Sequence, residues 1–424
     1  MKSTAKFLLL VVSLFMSVIG MHSTSQDGST DEAISTENVS NMSLLGTFSS
    51  LEENDIHHIE WLSSSISSFA VYGNSGVWIY QADDLEGEPR YFSGRGVLSQ
   101  DGHYWAIQNT RGQRGTTQIF DTISGTQLHI LQHGQVELSN EFNPLTFNFD
   151  STKIASAWGD TIRIWDTTTG SLISEISTEG IITSLSFNLE GSLIGAALYD
   201  GTVRVWDSST GQTVAEIQDH FNLVYPHFVS SENWLLTSSI DRTVTLWDLT
   251  SKTRLLFVPA HTDLVHAQLT GSGENIVVAD ASVQQSTNYS VLEIWNIALN
   301  KHIATYELVY DGIGFLIPGS IVFDTENRLV IFWTANEQAL LIDAEAGQQL
   351  YAFMHSDAVR GAIFNVDSSL VVSWSDELYF WDVETGELVI SIATESIQDV
   401  IFSPDGSRMI TAHIDGSIRL WGIR

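Results

Sequence analysis

The chain has 424 residues, with 18 Lys plus Arg against 51 Asp plus Glu, a formal net charge of −33, and no cysteine. Such a surface repels phosphate backbones and anionic lipid headgroups, so nucleic acid is not an expected partner. Without thiols there is no disulfide, thiolate metal site or cysteine nucleophile. Charged residues are only 16% and apolar residues 43%, a mix that suits half-exposed strands and tight turns better than long surface helices.

Taken in chain order, Lys2 and Lys6 precede an apolar run from Phe7 to Ile19, followed by small residues. The run is short for a bilayer span, and the pattern predicts a signal peptide over residues 1–22. The mature chain is therefore expected to be exported, with no stable membrane insertion after cleavage. Residues 23–42 are rich in Ser, Thr, Asp, Glu and Asn without hydrophobic periodicity, and read as a flexible linker. Ser43 to Phe48 (SLLGTF) reads as a strand with no repeat of its own.

From there one pattern recurs: two apolar strands, a turn with Asp or Gly, a third strand ending in an aromatic or apolar residue, a Gly turn and a fourth strand. The third strands end on Tyr80, Phe120, Trp165, Trp206, Trp247, Trp295, Ile342, Trp381 and Trp421, spaced 39 to 48 residues apart. Gly125, Gly170, Gly211, Gly347 and Gly386 follow the strand-ending acid position by four residues. Asn300 and Lys252 stand at that place in two other copies; Gly and Asn tolerate positive φ, and Lys252 fits poorly. In the strand from Thr202 to Trp206, Val203 and Val205 share one face. No helical period longer than the signal peptide is present.

These residues resemble the WD40 family. Trp165-Asp166, Trp206-Asp207, Trp247-Asp248 and Trp381-Asp382 are its name-giving pair, and Ser403-Pro404-Asp405-Gly406 fits its turn. The resemblance implies an all-β fold: a β-propeller of about nine four-stranded blades over residues 43–424. The strand 43–48 would close the ring by completing the last blade. The copies starting at Ile56 and Ile321 depart most from the pattern, so a ring of seven or eight blades with a leftover sheet is the second arrangement.

One copy carries His220, Ser239, Asp241 and Trp247, and a Ser-His-Asp grouping invites a hydrolase reading. The resemblance instead implies a structural chain. In it Asp241 orients the imidazole, the imidazole reaches Ser239, and Trp247 donates its indole hydrogen. His57 and His58 are adjacent on a strand, face opposite sides and do not make a joint metal site. No phosphate-binding loop, HExxH or GxSxG motif occurs, so no cofactor, metal or catalytic residue is expected.

The resemblance also implies that loops joining strand four to the next blade, and strand two to strand three, open on one face. Four are long or unusual: 109–115 with Arg111 and Arg114, 133–143, 282–290, and 308–318 with Tyr310 and Phe315. Phe221 and Tyr225, beside His220, add aromatic contacts of the kind enriched at binding hot spots. The expected function is a monomeric, non-enzymatic exported scaffold that holds a protein or peptide partner through these residues. A propeller hydrolase or lyase acting on a glycan or peptide at the channel mouth is the alternative, and a purely structural envelope protein is a third.

Overall fold

The computed structural model describes residues 32–48, 51, 56–62, 68–94, 96–109, 114–135, 144–221, 224–229, 233–260, 266–284, 287–310, 320–334, 336–394 and 396–423. They form nine four-stranded antiparallel sheets arranged as a propeller. Blades 1 to 8 are continuous in sequence, over 56–93, 96–135, 145–177, 182–217, 224–259, 266–310, 320–354 and 361–393. Blade 9 takes three strands from 397–423 and its fourth from the N-terminal strand Met42–Phe48.

Within each blade the first strand lies at one edge and the fourth at the other. First strands of neighbouring blades touch, which places them around the central channel, and the fourth strands carry the exposed edge. The two departing copies are complete blades. Tyr80 and Ile342 occupy the aromatic position of blades 1 and 7 and are buried there. A blade needs an apolar side chain at that place, and Trp is one way to supply it.

There is no single core. Nine apolar clusters each straddle one seam between neighbouring blades. The seam between blades 4 and 5, for example, joins Val203, Val205 and Ile217 to Val224, Phe228 and Leu235. Alternate residues of a strand point to opposite seams, so both faces of a central strand are apolar. The seam that closes the ring joins Phe48, Ile410 and Ile418 to Ile59, Phe69 and Tyr80.

A β-bulge recurs where the fourth strand passes the aromatic position. In blade 4, Val205 pairs with Ala215 but Trp206 with Thr213, leaving Val214 unpaired. Trp165, Trp247, Trp295, Ile342 and Trp381 show the same shift. The N-terminal strand reproduces it: Trp421 pairs with Leu44 and Leu420 with Gly46, skipping Leu45. That strand is therefore a fourth strand in register, matching the expected ring closure.

Residues 32–41, within the stretch read as flexible linker, differ from that expectation. Ile34 and Val39 are fully buried among side chains of blades 8 and 9, and Val39–Asn41 forms a 3₁₀ turn. Ile34 N donates to Gly406 O at 2.9 Å, and Asn365 Nδ2 donates to Ile34 O at 2.9 Å. Two apolar residues in a polar stretch suffice to fasten it, because their hydrophobic sites lie on the blades rather than in the segment. The remainder of that stretch and the predicted signal peptide lie outside the described residues.

The tight turn between third and fourth strands holds positive φ in every copy the pattern identified: 72° at Gly125, 69° at Gly170, 68° at Gly211, 63° at Gly347, 72° at Gly386, 45° at Asn300 and 56° at Lys252. The carboxylate beside the aromatic caps it. Asp166 Oδ1 accepts from Thr169 N at 2.7 Å and from Thr169 Oγ1 at 2.8 Å, and Asp207 repeats this with Thr210. These bonds hold both carboxyls below the ordinary range. Lys252→Gly is expected to raise stability by about 0.5–1 kcal/mol, because left-handed backbone costs a non-glycine residue about 1–2 kcal/mol. The check is a higher denaturant midpoint with an unchanged slope; a lower midpoint refutes it.

Candidate interaction face

Antiparallel pairing puts every hairpin between strands two and three on one face, together with the connections from one blade to the next. The heights differ around the ring. In blade 4 the ladder stops at Ala197 opposite Val203, three residues before Trp206. In blade 6 it runs on to Gln284 opposite Thr287, eight residues before Trp295. At about 3.3 Å per residue, the blade 6 ladder runs on the order of 16 Å beyond that of blade 4. Blade 2 rises less, its third strand spanning Arg114–Asp121 and its fourth Gln127–Gln135.

The expected contact residues fall at different places on this face. Arg114 opens the third strand of blade 2 and Tyr310 ends the fourth strand of blade 6, so both stand on the raised walls. Arg111 and Phe315 lie outside the described residues. Phe221 is 90% exposed, in the connection between blades 4 and 5, and its N–H donates to Asp241 Oδ2 at 3.0 Å. Tyr225 is half-buried on the first strand of blade 5, and burial pushes its phenol up to about 12. It is less open to solvent than Phe221.

The hydrogen-bond chain exists, with one partner changed. His220 Nδ1 lies 3.2 Å from Asp241 Oδ2 and 2.9 Å from Thr243 Oγ1. Its Nε2 lies 2.7 Å from Thr237 Oγ1, not on Ser239. Thr237 Oγ1 is 2.6 Å from Thr245 Oγ1, which accepts from Trp247 Nε1 at 3.1 Å. Ser239 Oγ instead accepts from Asp241 N at 3.1 Å and braces the turn. Register explains the correction. Thr237 pairs with Thr245, two residues before Trp247, whereas Ser239 pairs with Thr243.

The same device recurs in other blades. His133 Nε2 lies 3.0 Å from Ser156 Oγ, which accepts from Trp165 Nε1 at 2.9 Å. His355 Nε2 lies 2.7 Å from Ser373 Oγ, which accepts from Trp381 Nε1 at 2.8 Å. In blade 9, Thr411 Oγ1 lies 2.8 Å from His413 Nε2 and accepts from Trp421 Nε1 at 3.0 Å. Each hydroxyl pairs across the ladder with the residue two before the Trp: Arg163, Tyr379 and Arg419. Burial disfavours the charged form of His133, His355 and His220. It takes His133, beside the Arg163 charge, down to about 3 and His355 to about 4, and lowers His220 despite Asp241. A set repeated around a ring is framework.

The ladder gives a direct test. Thr237→Val leaves His220 and Thr245 without their shared hydroxyl and is expected to cost about 1–3 kcal/mol. Ser239→Ala removes a turn brace and is expected to cost under about 1 kcal/mol. Urea denaturation of both variants checks the order; a larger loss from Ser239→Ala reverses the assignment.

Sequence reasoning missed His133, His355 and Thr237. The signal was present in the aromatic register, but counting back from Trp crosses a turn of variable length. It also missed a seam cluster beside the channel. His58 Nδ1 lies 2.9 Å from Asp399 Oδ2, which also accepts from Ile59 N, and Tyr72 OH donates to Glu60 Oε2 at 3.0 Å. Burial opposes the charge on His58, but Asp399 and Glu60 outweigh it and hold its pKa above the ordinary value. Burial also raises Glu60. His57 turns the other way, to Asn74 Oδ1 at 2.8 Å, as adjacent strand residues should.

Comparison with known proteins agrees with this architecture. The family model described as WD domain, G-beta repeat, matches residues 170–207, 211–248 and 386–422. Each match starts at the turn before one blade's fourth strand and ends at the next blade's third strand, the same offset that leaves the N-terminal strand to finish blade 9. Among solved structures, the chain is similar to the computationally designed Ika8 protein, crystallised in P63. That likeness has a TM-score of 0.51 and 18% identity, and covers 90% of this chain and 99% of that one. The protein is a nine-bladed β-propeller carrying WD40 repeats.

Proposed function

We propose that the protein is an exported scaffold that holds a protein or peptide partner on the face bearing the raised hairpins. WD40 propellers commonly serve as protein-interaction scaffolds. The observation that carries the reading here is where the blades differ. Their hydrogen-bond ladders and capped turns repeat, whereas the heights of the hairpins on one face do not. Repetition serves the framework, and variation on one face serves recognition. Export rests on the leader at residues 1–22, and Edman sequencing of the mature protein from the native envelope or medium is expected to start just after it.

The test of the face joins Arg111→Ala, Arg114→Ala, Tyr310→Ala and Phe315→Ala in one chain. The variant is expected to lose capture of a native-fraction partner, identified by mass spectrometry, while melting as the wild type does. Capture that survives refutes the reading.

The alternative, a hydrolase or lyase at the channel mouth, draws on the His58–Asp399 pair beside Glu60 and Tyr72. It requires turnover of a glycan or peptide that His58→Gln abolishes without lowering the melting temperature.

A further inference from the structure

Between the raised walls of blades 2 and 6 the face drops to the short turns of blades 3, 4 and 5. Three apolar side chains stand exposed there in succession around the ring: Ile181 at 38%, Tyr199 at 60% and Phe221 at 90%. Their backbones are fixed. Thr178 N donates to Asp160 O at 2.8 Å, Tyr199 N to Ile181 O at 2.8 Å, and Phe221 N to Asp241 Oδ2 at 3.0 Å. The apolar groups are thus held out into solvent by hydrogen-bonded turns.

The opposite face differs. Its exposed apolar side chains, Ile123, Leu189, Leu299 and Val366, stand singly on blades 2, 4, 6 and 8. Single exposed residues are ordinary, whereas neighbouring ones on a floor flanked by walls are a contact feature.

Charge says what fits the floor. Its turns and connections, 159–160, 178–181, 199–201, 218–221 and 239–242, carry Asp160, Glu179, Asp200, Asp219 and Asp241 against Arg242. Asp160, Glu179 and Asp200 are exposed, while Asp219 is bridged by Arg254 at 3.1 Å and Asp241 serves the ladder. Arg163 and Arg204 are already engaged: they pair with Glu175 at 2.7 Å and Glu216 at 3.0 Å, and donate to His133 O at 2.9 Å and Thr178 O at 2.6 Å, so those two glutamates rather than the floor acids balance them.

We infer that the floor across blades 3 to 5 is the docking subsite of the proposed scaffold, and that it takes a cationic peptide segment whose Lys or Arg residues alternate with apolar anchors. The inference rests on the scaffold reading and narrows its partner. Apolar anchors cover Ile181, Tyr199 and Phe221, and the basic side chains meet Asp160, Glu179 and Asp200. An all-basic chain satisfies only the rim, and an acidic chain is repelled.

The test uses fluorescence anisotropy on the full mature chain. The probe is a short fluorescein-labelled peptide alternating Lys and Arg with Leu and Phe; the controls are an all-Lys peptide and the same probe with Glu at each basic position. The probe is expected to bind at least about tenfold more tightly than either control. Ile181→Ser, Tyr199→Ser and Phe221→Ser together are expected to weaken it at least about tenfold, at unchanged melting temperature. Asp160→Asn, Glu179→Gln and Asp200→Asn together are expected to weaken it and flatten its salt dependence. Equal binding of the all-Lys peptide, or full affinity in the apolar triple variant, overturns the inference. Partner capture separates the two levels. If the four-residue wall variant loses its native partner while both floor variants keep it, the floor assignment fails and the scaffold reading stands. If all variants keep it, both fail.

Discussion

Phe48→Ala is expected to lower stability by about 3–5 kcal/mol, and deleting residues 32–48 to abolish cooperative folding at ordinary temperature. Phe48 ends the N-terminal strand, yet its ring lies in the closing seam, 5.1 Å from Phe69 and 5.6 Å from Tyr80 in edge contacts. Truncation leaves a cavity between blades 9 and 1 that rigid sheets on either side cannot fill. The deletion removes more: the ladder to the last strand, and the Ile34 and Val39 contacts on blades 8 and 9. An opened ring exposes two seams and an unpaired edge. Leu44→Ala, on the same strand at a half-exposed position, is the control and is expected to cost well under Phe48→Ala. Calorimetry and urea midpoints check the set. Wild-type melting in Phe48→Ala contradicts the closure.

Acid is expected to be the second large effect. Burial holds His133 near 3 and His266 and His355 near 4, and lowers His220 and His227. Unfolded, each takes a proton near 6.5. The unfolded state therefore binds more protons below that value, and stability falls as pH drops from about 6.5 toward 4. His58 has the opposite sign. Its raised value adds stability that is complete below the unfolded pKa and lost as pH rises through the folded one, so it offsets part of the loss. At about 1.4 kcal/mol per pH unit for each of the three strongly shifted groups, less the His58 contribution, the loss at pH 5 is on the order of 5 kcal/mol. Melting temperatures between pH 7.5 and 5 check this, with His355→Gln expected to flatten the slope. A level profile rejects neutral burial.

Much of the framework was readable before any coordinates, and the reason is local. The aromatic register, the acid beside it and the Gly four residues on are set by turn and strand chemistry within one repeat, so the period and the spare strand announced the ring. Blades 1 and 7 were harder because Tyr80 and Ile342 replace the expected Trp; seam packing, which a linear pattern does not record, makes them full blades. The 32–41 segment was misread because its anchors are remote: Ile34 depends on Asn365 and Gly406. Ser239 was taken for Thr237 because both lie on one strand face, and only cross-strand register separates them. On the interaction face, Phe221 was visible as an aromatic beside a turn, whereas Tyr225 looked equivalent until its burial was known. Ile181 and Tyr199 carried no motif, since exposure is a property of the neighbours.

Closing the ring with the first strand has a consequence in time. Phe48 must wait for Ile418, its pairing partner, which is made 370 residues later (418 − 48). At about 5–20 residues per second, that is roughly 20–75 s in which blade 9 has no outer strand and the closing seam lies open. Earlier blades can stack as they emerge, but the molecule locks only when its last strand arrives. The export proposed above gains from this order, because a polypeptide that cannot finish folding stays threadable until synthesis ends.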